Sequence, residues 1–207
     1  LKFARPGKIG YFPWVANGDK QVRIVLGVSG GIACYKAVDL VRLLVRAGFS
    51  VQVIMTRGAM EFVTPLTFQT LSSNPVATET FNLTQESEIG HINLADSADL
   101  FVIAPATAHI IGKIANGIAD DLLTTVVMET QAPVLIAPAM NVHMFENSIV
   151  QENLRKLRRV GYHLLEPAAG FLACGYEGKG RLPDPEMIAE EIQRLLRKKD
   201  LAGERLL

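Results

Sequence analysis

Hydrophobic and polar positions alternate between two regimes along most of this chain. Residues 22–28, Val-Arg-Ile-Val-Leu-Gly-Val, form a nearly continuous apolar run, the mark of a strand buried on both faces. Ser29-Gly30-Gly31 interrupts it. From Ile32 the period lengthens: Ile32, Tyr35, Val38, Val41 and Leu44 recur at three-residue steps, and Leu40 and Leu43 widen the stripe. The pattern predicts a strand, a glycine turn and a helix, the first half of a βαβ unit. Amide donors and the helix dipole at such a turn favour an anion. A tight turn without a ligand fits equally well, and the glycines do not match the G-x-G-x-x-G dinucleotide fingerprint.

The alternation continues downstream. Gly48 stops the first helix, and residues 50–55 predict a second strand with Thr56 at its carboxyl end. Helical segments follow at 59–63 and 65–71, a short third strand at 75–78 and a polar loop at 82–88. Residues 100–104 predict a fourth strand ending in Pro105-Ala106-Thr107, then helices at 108–115 and 121–129. Residues 133–137 predict a fifth strand ending in Pro138-Ala139-Met140-Asn141. An amphipathic helix at 148–159, a sixth strand at 162–165, a glycine-rich loop at 170–180 and a helix at 185–197 complete the pattern.

Strands alternating with helices predict an α/β fold, a three-layer, doubly wound parallel sheet of Rossmann-like type with strand order 3-2-1-4-5-6. Ligands in such sheets lie beyond the carboxyl ends of the strands, where the winding reverses. Here that crevice falls between the first and fourth strands, flanked by residues 27–31 and 104–107, with Ser29, Thr56 and Thr107 as hydroxyl donors. Residues 1–21 show no period and read either as a docked arm or as translated sequence upstream of the domain spanning 22–197.

Composition narrows the picture. A length of 207 residues suits one core. Lys+Arg and Asp+Glu both number 21, so charge points to no nucleic acid partner. No apolar run reaches membrane-spanning length. Two cysteines, Cys34 and Cys174, make no disulfide framework and fit a reducing cytoplasm. No metal-ligand cluster stands out.

Several stretches can carry chemistry. His91, in Gly90-His91-Ile92, precedes the fourth strand, although a lone histidine is more often structural. Asn141, beyond the fifth strand, can cap a helix or hold a carboxylate without adding charge. Cys174, on a glycine-rich loop with Lys179 and Arg181 nearby, is a candidate acid or nucleophile. Asn116-Gly117 through Asp120-Asp121 reads equally well as a turn and a cap. His109, His143 and His163 read as structural.

The ordered set of motifs resembles the homo-oligomeric flavin-containing cysteine decarboxylases, in particular the phosphopantothenoylcysteine decarboxylases of coenzyme A biosynthesis. It comprises Ser29-Gly30-Gly31-Ile32-Ala33-Cys34-Tyr35-Lys36, Gly90-His91-Ile92, Ala104-Pro105-Ala106-Thr107-Ala108, Ala115-Asn116-Gly117-Ile118-Ala119-Asp120-Asp121-Leu122-Leu123, Pro138-Ala139-Met140-Asn141 with Met144, and Ala173-Cys174-Gly175 with Gly178, Gly180 and Arg181.

That resemblance implies FMN as cofactor and decarboxylation of phosphopantothenoylcysteine through thioaldehyde and enethiol intermediates. It implies His91, Asn141 and Cys174 as catalytic residues. Ser29, Gly30, Gly31, Ile32, Thr56, Ala106, Thr107 and Met144 fall at cofactor positions. Asn141, Met144, Ala173, Gly175, Lys179 and Arg181 fall at substrate positions. It also implies a trimer, or a multiple of one, with His91 serving a neighbour's flavin. One departure is visible: His109-Ile110 stands where some relatives carry Asn-Thr, so a phosphate-binding hydroxyl is missing at Ile110. Residues 198–207 resemble the linker and start of a phosphopantothenate–cysteine ligase domain, which makes a chain cut within a bifunctional protein the expectation. Rival readings are a peptidyl-cysteine decarboxylase, a flavin prenyltransferase and a phosphatase regulatory subunit. Cys174 on its glycine-rich loop and the ligase-like tail weigh against the first, the His91, Asn141 and Cys174 set against the second, and the absence of acidic tails against the third.

Overall fold

The computed structural model describes residues 21–79, 90–171 and 177–197. Residues 1–20 of the arm expected at 1–21, the tail at 198–207, and Ala173, Cys174 and Gly175 lie outside the described residues.

Five strands, β1 (Arg23–Val28), β2 (Ser50–Met55), β3 (Leu100–Ala106), β4 (Val134–Pro138) and β5 (His163–Leu164), pair in parallel in the order β2-β1-β3-β4-β5. The strand expected at 75–78 shrinks to one bridge, Ala77 beside Ile54, at the predicted edge. Side chains explain the shortening. The Asn74 amide donates to the Val51 carbonyl at 2.9 Å, and the Gln52 amide donates to the Pro75 carbonyl, where ladder bonds would otherwise run. The order 3-2-1-4-5-6 therefore holds, with its outermost member reduced.

Successive strand residues point to opposite faces. Ile24, Leu26 and Val28 pack under α1 (Cys34–Arg46), with Phe68 of α3 (Pro65–Ser72) and Ile188 and Ile192 of α9 (Pro185–Leu196) in the same core. Val25, Phe101, Ile103 and Ile136 pack on the other face. Their partners come from α4 (Gly90–Asp96), α5 (Ala108–Ala115), α6 (Leu122–Glu129) and α8 (Ser148–Arg159). Each fully buried aliphatic side chain contributes about 1.5–3 kcal/mol, so two such cores hold the sheet rigid beneath its carboxyl edge.

Several elements differ from the expected pattern. The buried stripe of α1 runs through Cys34, Ala37, Leu40, Val41 and Leu44, and Ile32 and Tyr35 turn outward. Short helices form at α2 (Arg57–Met60), α4 and α7 (Val142–Glu146). The glycine-rich stretch at 170–180 contributes to an antiparallel pair, β6 (Ala168–Phe171) with β7 (Glu177–Arg181), rather than running only as a loop.

Candidate active site

The winding reverses between β1 and β3, and a cleft of about 1420 Å³ opens along the carboxyl edge there. Its floor is built from backbone. The β1–α1 turn touches the start of α2 so closely that a Cβ on Gly30 would lie 2.5 Å from the carbonyl carbon of Gly58. No side chain fits between these segments, and the floor stays open to a ligand at backbone level. Two helix starts face the same space. Thr56 caps α2, its hydroxyl oxygen accepting from the Ala59 amide at 3.2 Å, and Thr107 caps α5, accepting from the Ile110 amide at 3.4 Å. An accepting threonine hydroxyl keeps its proton for a second partner.

Ser29 stands one layer behind. It is 1 % exposed, and its hydroxyl donates to the Pro105 carbonyl at 2.8 Å and receives the Thr107 amide at 3.0 Å. That hydroxyl braces β1 to the Thr107 cap. Ala106 is likewise buried, its carbonyl accepting from the Ala139 amide at 2.9 Å. Gly30, Gly31, Ile32, Thr56, Thr107 and Met144 all line the cleft. Ile32 is 59 % exposed and Met144 49 %, apolar side chains that a flat, partly apolar ligand would cover. Ile110 is buried in the α5–α6 core.

Asn141 sits on the cleft wall and caps α7, its Oδ1 accepting from the His143 amide at 2.8 Å. The cap reading of Asn141 holds, and the cap fixes where its amide stands. The segment before it is locked to β7: the Met140 amide donates to the Gly180 carbonyl at 2.9 Å, and a Cβ on Gly180 (φ +151°) would collide with the Met140 carbonyl oxygen. β7 carries Arg181 onto the cleft wall, whereas Lys179 is exposed and does not line it. His91 opens α4, which packs against α6. Its side chain and all of Cys174 lie outside the described residues.

Two charged groups on the walls were not singled out from sequence. Lys36, in the first turn of α1, donates to Asp184 at 2.8 Å, which holds the Asp184 carboxyl below its usual range. Lys113 of α5 bridges Asp120 at 2.7 Å and Asp121 at 3.2 Å. Burial pulls its ammonium down, but the bonds to both carboxylates outweigh this and raise it. Lys36 and Asp184 are separated by most of the chain, so no local spacing marks them. The Asp120-Asp121 pair was visible only as a turn and cap, and Asp121 does cap α6. Cys34 is buried, its Sγ 3.1 Å from the Ser29 carbonyl, and burial pushes the thiol up, which disfavours the thiolate. Among the described residues no His/Cys/Asp/Glu group could hold a metal ion, and no helix is long and apolar enough to cross a membrane.

A parallel sheet with a backbone-lined cleft at its switch point, hydroxyl caps and an apolar wall is the architecture of a ligand-binding α/β fold. Residues 15–197 match the Flavoprotein family, and the chain belongs to it. It is 56 % identical over 171 residues to the Coenzyme A biosynthesis bifunctional protein CoaBC of Bacillus subtilis, covering 83 % of this chain and 42 % of that protein. It is 43 % identical over 176 residues to the probable phosphopantothenoylcysteine decarboxylase of Streptococcus mutans, covering 84 % of this chain and 98 % of that one. The chain thus spans less than half the length of the bifunctional relatives and nearly all of the shorter one. Among solved structures, a PPC decarboxylase variant complexed with pantothenoylaminoethenethiol superposes with a TM-score of 0.75 at 28 % identity, covering 84 % of this chain and 98 % of that one. The FMN binding protein AtHal3 superposes with a TM-score of 0.73 at 29 % identity, covering 84 % and 96 %.

Proposed function

We propose that this chain catalyses FMN-dependent decarboxylation of phosphopantothenoylcysteine to phosphopantetheine in coenzyme A biosynthesis. The observation that carries the reading is the position of Asn141, held by its α7 cap on the wall of a cleft whose floor suits a flavin. The similarity over nearly the whole length of a phosphopantothenoylcysteine decarboxylase supports it.

The residues fit the cofactor. Gly30, Gly31 and the start of α5 at Thr107 offer backbone and hydroxyl donors to a phosphate, Thr56 offers a further hydroxyl, and Ile32 and Met144 offer apolar cover. When bound, FMN supplies a two-electron acceptor and donor for the substrate's thiol carbon. The chain supplies the rest. Asn141 holds the carboxylate with a neutral amide. A cation there would stabilise the charged ground state, whose charge leaves with carbon dioxide, and so slow the step. Cys174 Sγ gives the proton that completes the product, and His91 acts at a flavin shared between subunits of a trimer or a multiple of one. The setting is a reducing cytoplasm, and a fused phosphopantothenate–cysteine ligase domain is the expected partner of the decarboxylase.

The test is direct. Cofactor released from the purified chain by heat and identified by chromatography is expected to be FMN, and the holoprotein is expected to release carbon dioxide from phosphopantothenoylcysteine. Recovery of FAD, or no carbon dioxide from a flavin-loaded chain, would overturn the reading.

A further inference from the structure

The chain is pinned on both sides of Asn141, and β7 supplies a contact on each side. The Ala139 amide donates to the Ala106 carbonyl at 2.9 Å and ties the segment to β3. The Met140 amide donates to the Gly180 carbonyl, also at 2.9 Å. Val142, only 7 % exposed, closes the other side: a Cβ on Gly178 would lie 2.7 Å from Val142 Cγ2 and 3.3 Å from Val142 Cβ. Asn141 stands between these two β7 contacts, its Oδ1 accepting from the His143 amide at 2.8 Å. Helix α7 has five residues, too few to hold its own start in place. The backbone of residues 140–142 is therefore set by β7, and the cap passes that setting to the Asn141 amide.

The two glycines of β7 are required for different reasons. Gly180 adopts a backbone (φ +151°) that side chains rarely take up. Gly178 does not, so only the space filled by Val142 excludes a side chain there.

We propose that β7 is the positioning element for Asn141 and that Gly178 sets its depth: the missing side chain lets Val142 seat directly on the strand and holds the Asn141 amide where it meets a carboxylate. The proposal rests on the reading that Asn141 holds the carboxylate of the substrate. Binding and catalytic groups must stand within about 0.5 Å of their productive positions. A methyl group on Gly178 would have to drive Val142 back by more than that to reach ordinary contact at 3.4 Å or beyond.

The test uses holoprotein of the wild type, Gly178→Ala, Val142→Ala and the double variant, with two unreactive ligands read by calorimetry. One is the serine counterpart of phosphopantothenoylcysteine, which keeps the carboxylate and has no thiol to oxidise; the other is the same molecule without its carboxylate. Gly178→Ala is expected to lower the preference for the carboxylate-bearing ligand by about tenfold or more, the loss of a charge-assisted hydrogen bond, while FMN affinity measured by flavin fluorescence is unchanged. The double variant removes the crowded γ-carbons and is expected to regain the preference to within about threefold of the wild type. Val142→Ala alone loosens the contact that Gly178→Ala crowds, so it too is expected to lower the preference, and it decides the matter if Gly178→Ala does not fold. Equal weakening of both ligands, an unchanged preference in the single variants, or no regain in the double variant overturns the proposal. If the wild type binds both ligands equally, the functional reading of Asn141 fails, and its positioning is judged by hydrogen exchange at the His143 amide, the donor in the Asn141 cap. Faster exchange in Gly178→Ala that the double variant reverses supports the positioning role, and unchanged exchange overturns it.

Discussion

The Ser29 hydroxyl receives the Thr107 amide at 3.0 Å, and this contact ties the end of β1 to the start of α5 across the point where the sheet reverses its winding. The same hydroxyl donates to the Pro105 carbonyl at 2.8 Å. The Ser29 hydroxyl thereby braces the Thr107 cap on the cleft wall.

Replacing Ser29 by alanine removes a partner from two groups in a buried setting, which costs about 1–3 kcal/mol. Ser29→Ala is expected to lower unfolding stability by that amount in urea denaturation and to weaken FMN binding through a looser Thr107 cap. Stability within about 0.5 kcal/mol of the wild type would show that Ser29 does not brace the switch point.

The backbone contact between Gly30 and Gly58 separates two adjacent glycines. A Cβ on Gly30 meets Gly58 at 2.5 Å, whereas one on Gly31 finds its nearest neighbour, Thr107 Cγ2, at 3.7 Å. Gly30→Ala is expected to cost about 1–3 kcal/mol, as overpacking does, and Gly31→Ala less than half as much. Thermal denaturation of the two variants side by side checks this, and equal losses would contradict the floor described here.

Asn141→Asp tests charge at the position proposed to hold the carboxylate, with little disturbance of the fold, because aspartate caps a helix as well as asparagine. Like charges then meet where the amide stood. The variant is expected to keep its melting temperature and its flavin while decarboxylation falls by roughly a hundredfold or more. Near-normal carbon dioxide release would remove Asn141 from the chemistry.

Acid should weaken the ion pairs on the cleft walls in a defined order of events. Lys36 holds the Asp184 carboxyl, and Lys113 the Asp120 carboxyl, below the ordinary value of about 3.9. A carboxyl depressed in the folded state contributes stability that is complete above its unfolded value and lost as pH falls through the folded one. These pairs therefore leave stability flat from neutral pH down to about pH 5 and weaken it below about pH 4. Asp184→Asn is expected to make melting temperature less steep in that acid range, and an unchanged slope would exclude the pair as a contributor.

Much of this was legible in the chain. Continuous apolar runs such as that of β1, covered on both faces, produced the parallel sheet and its order, and strand ends rich in glycine and hydroxyl residues located the cleft. What escaped had physical causes. Val142–Glu146 and Gly90–Asp96 are too short for a helical period to register, so α7 and α4 were not anticipated. The apolar stripe through Ile32 and Tyr35 pointed to burial, yet these residues stand just before and in the first turn of α1 and face the cleft, while small Cys34 and Ala37 pack inside. Glycines at 170–180 suggested a loop, but Gly180 adopts a backbone that brings β7 against Met140. Lys36 and Asp184 meet only through the docking of α9 on α1, a contact that no local pattern encodes.

The central claim is that the chain completes a redox-neutral decarboxylation rather than stopping at an oxidised product. Mass spectrometry of the product formed from phosphopantothenoylcysteine by the FMN-loaded chain tests it most directly. A single product lighter than the substrate by one carbon dioxide, phosphopantetheine, is expected. A product lighter by a further two hydrogens, or substrate returned unchanged by a chain that holds FMN, would contradict it.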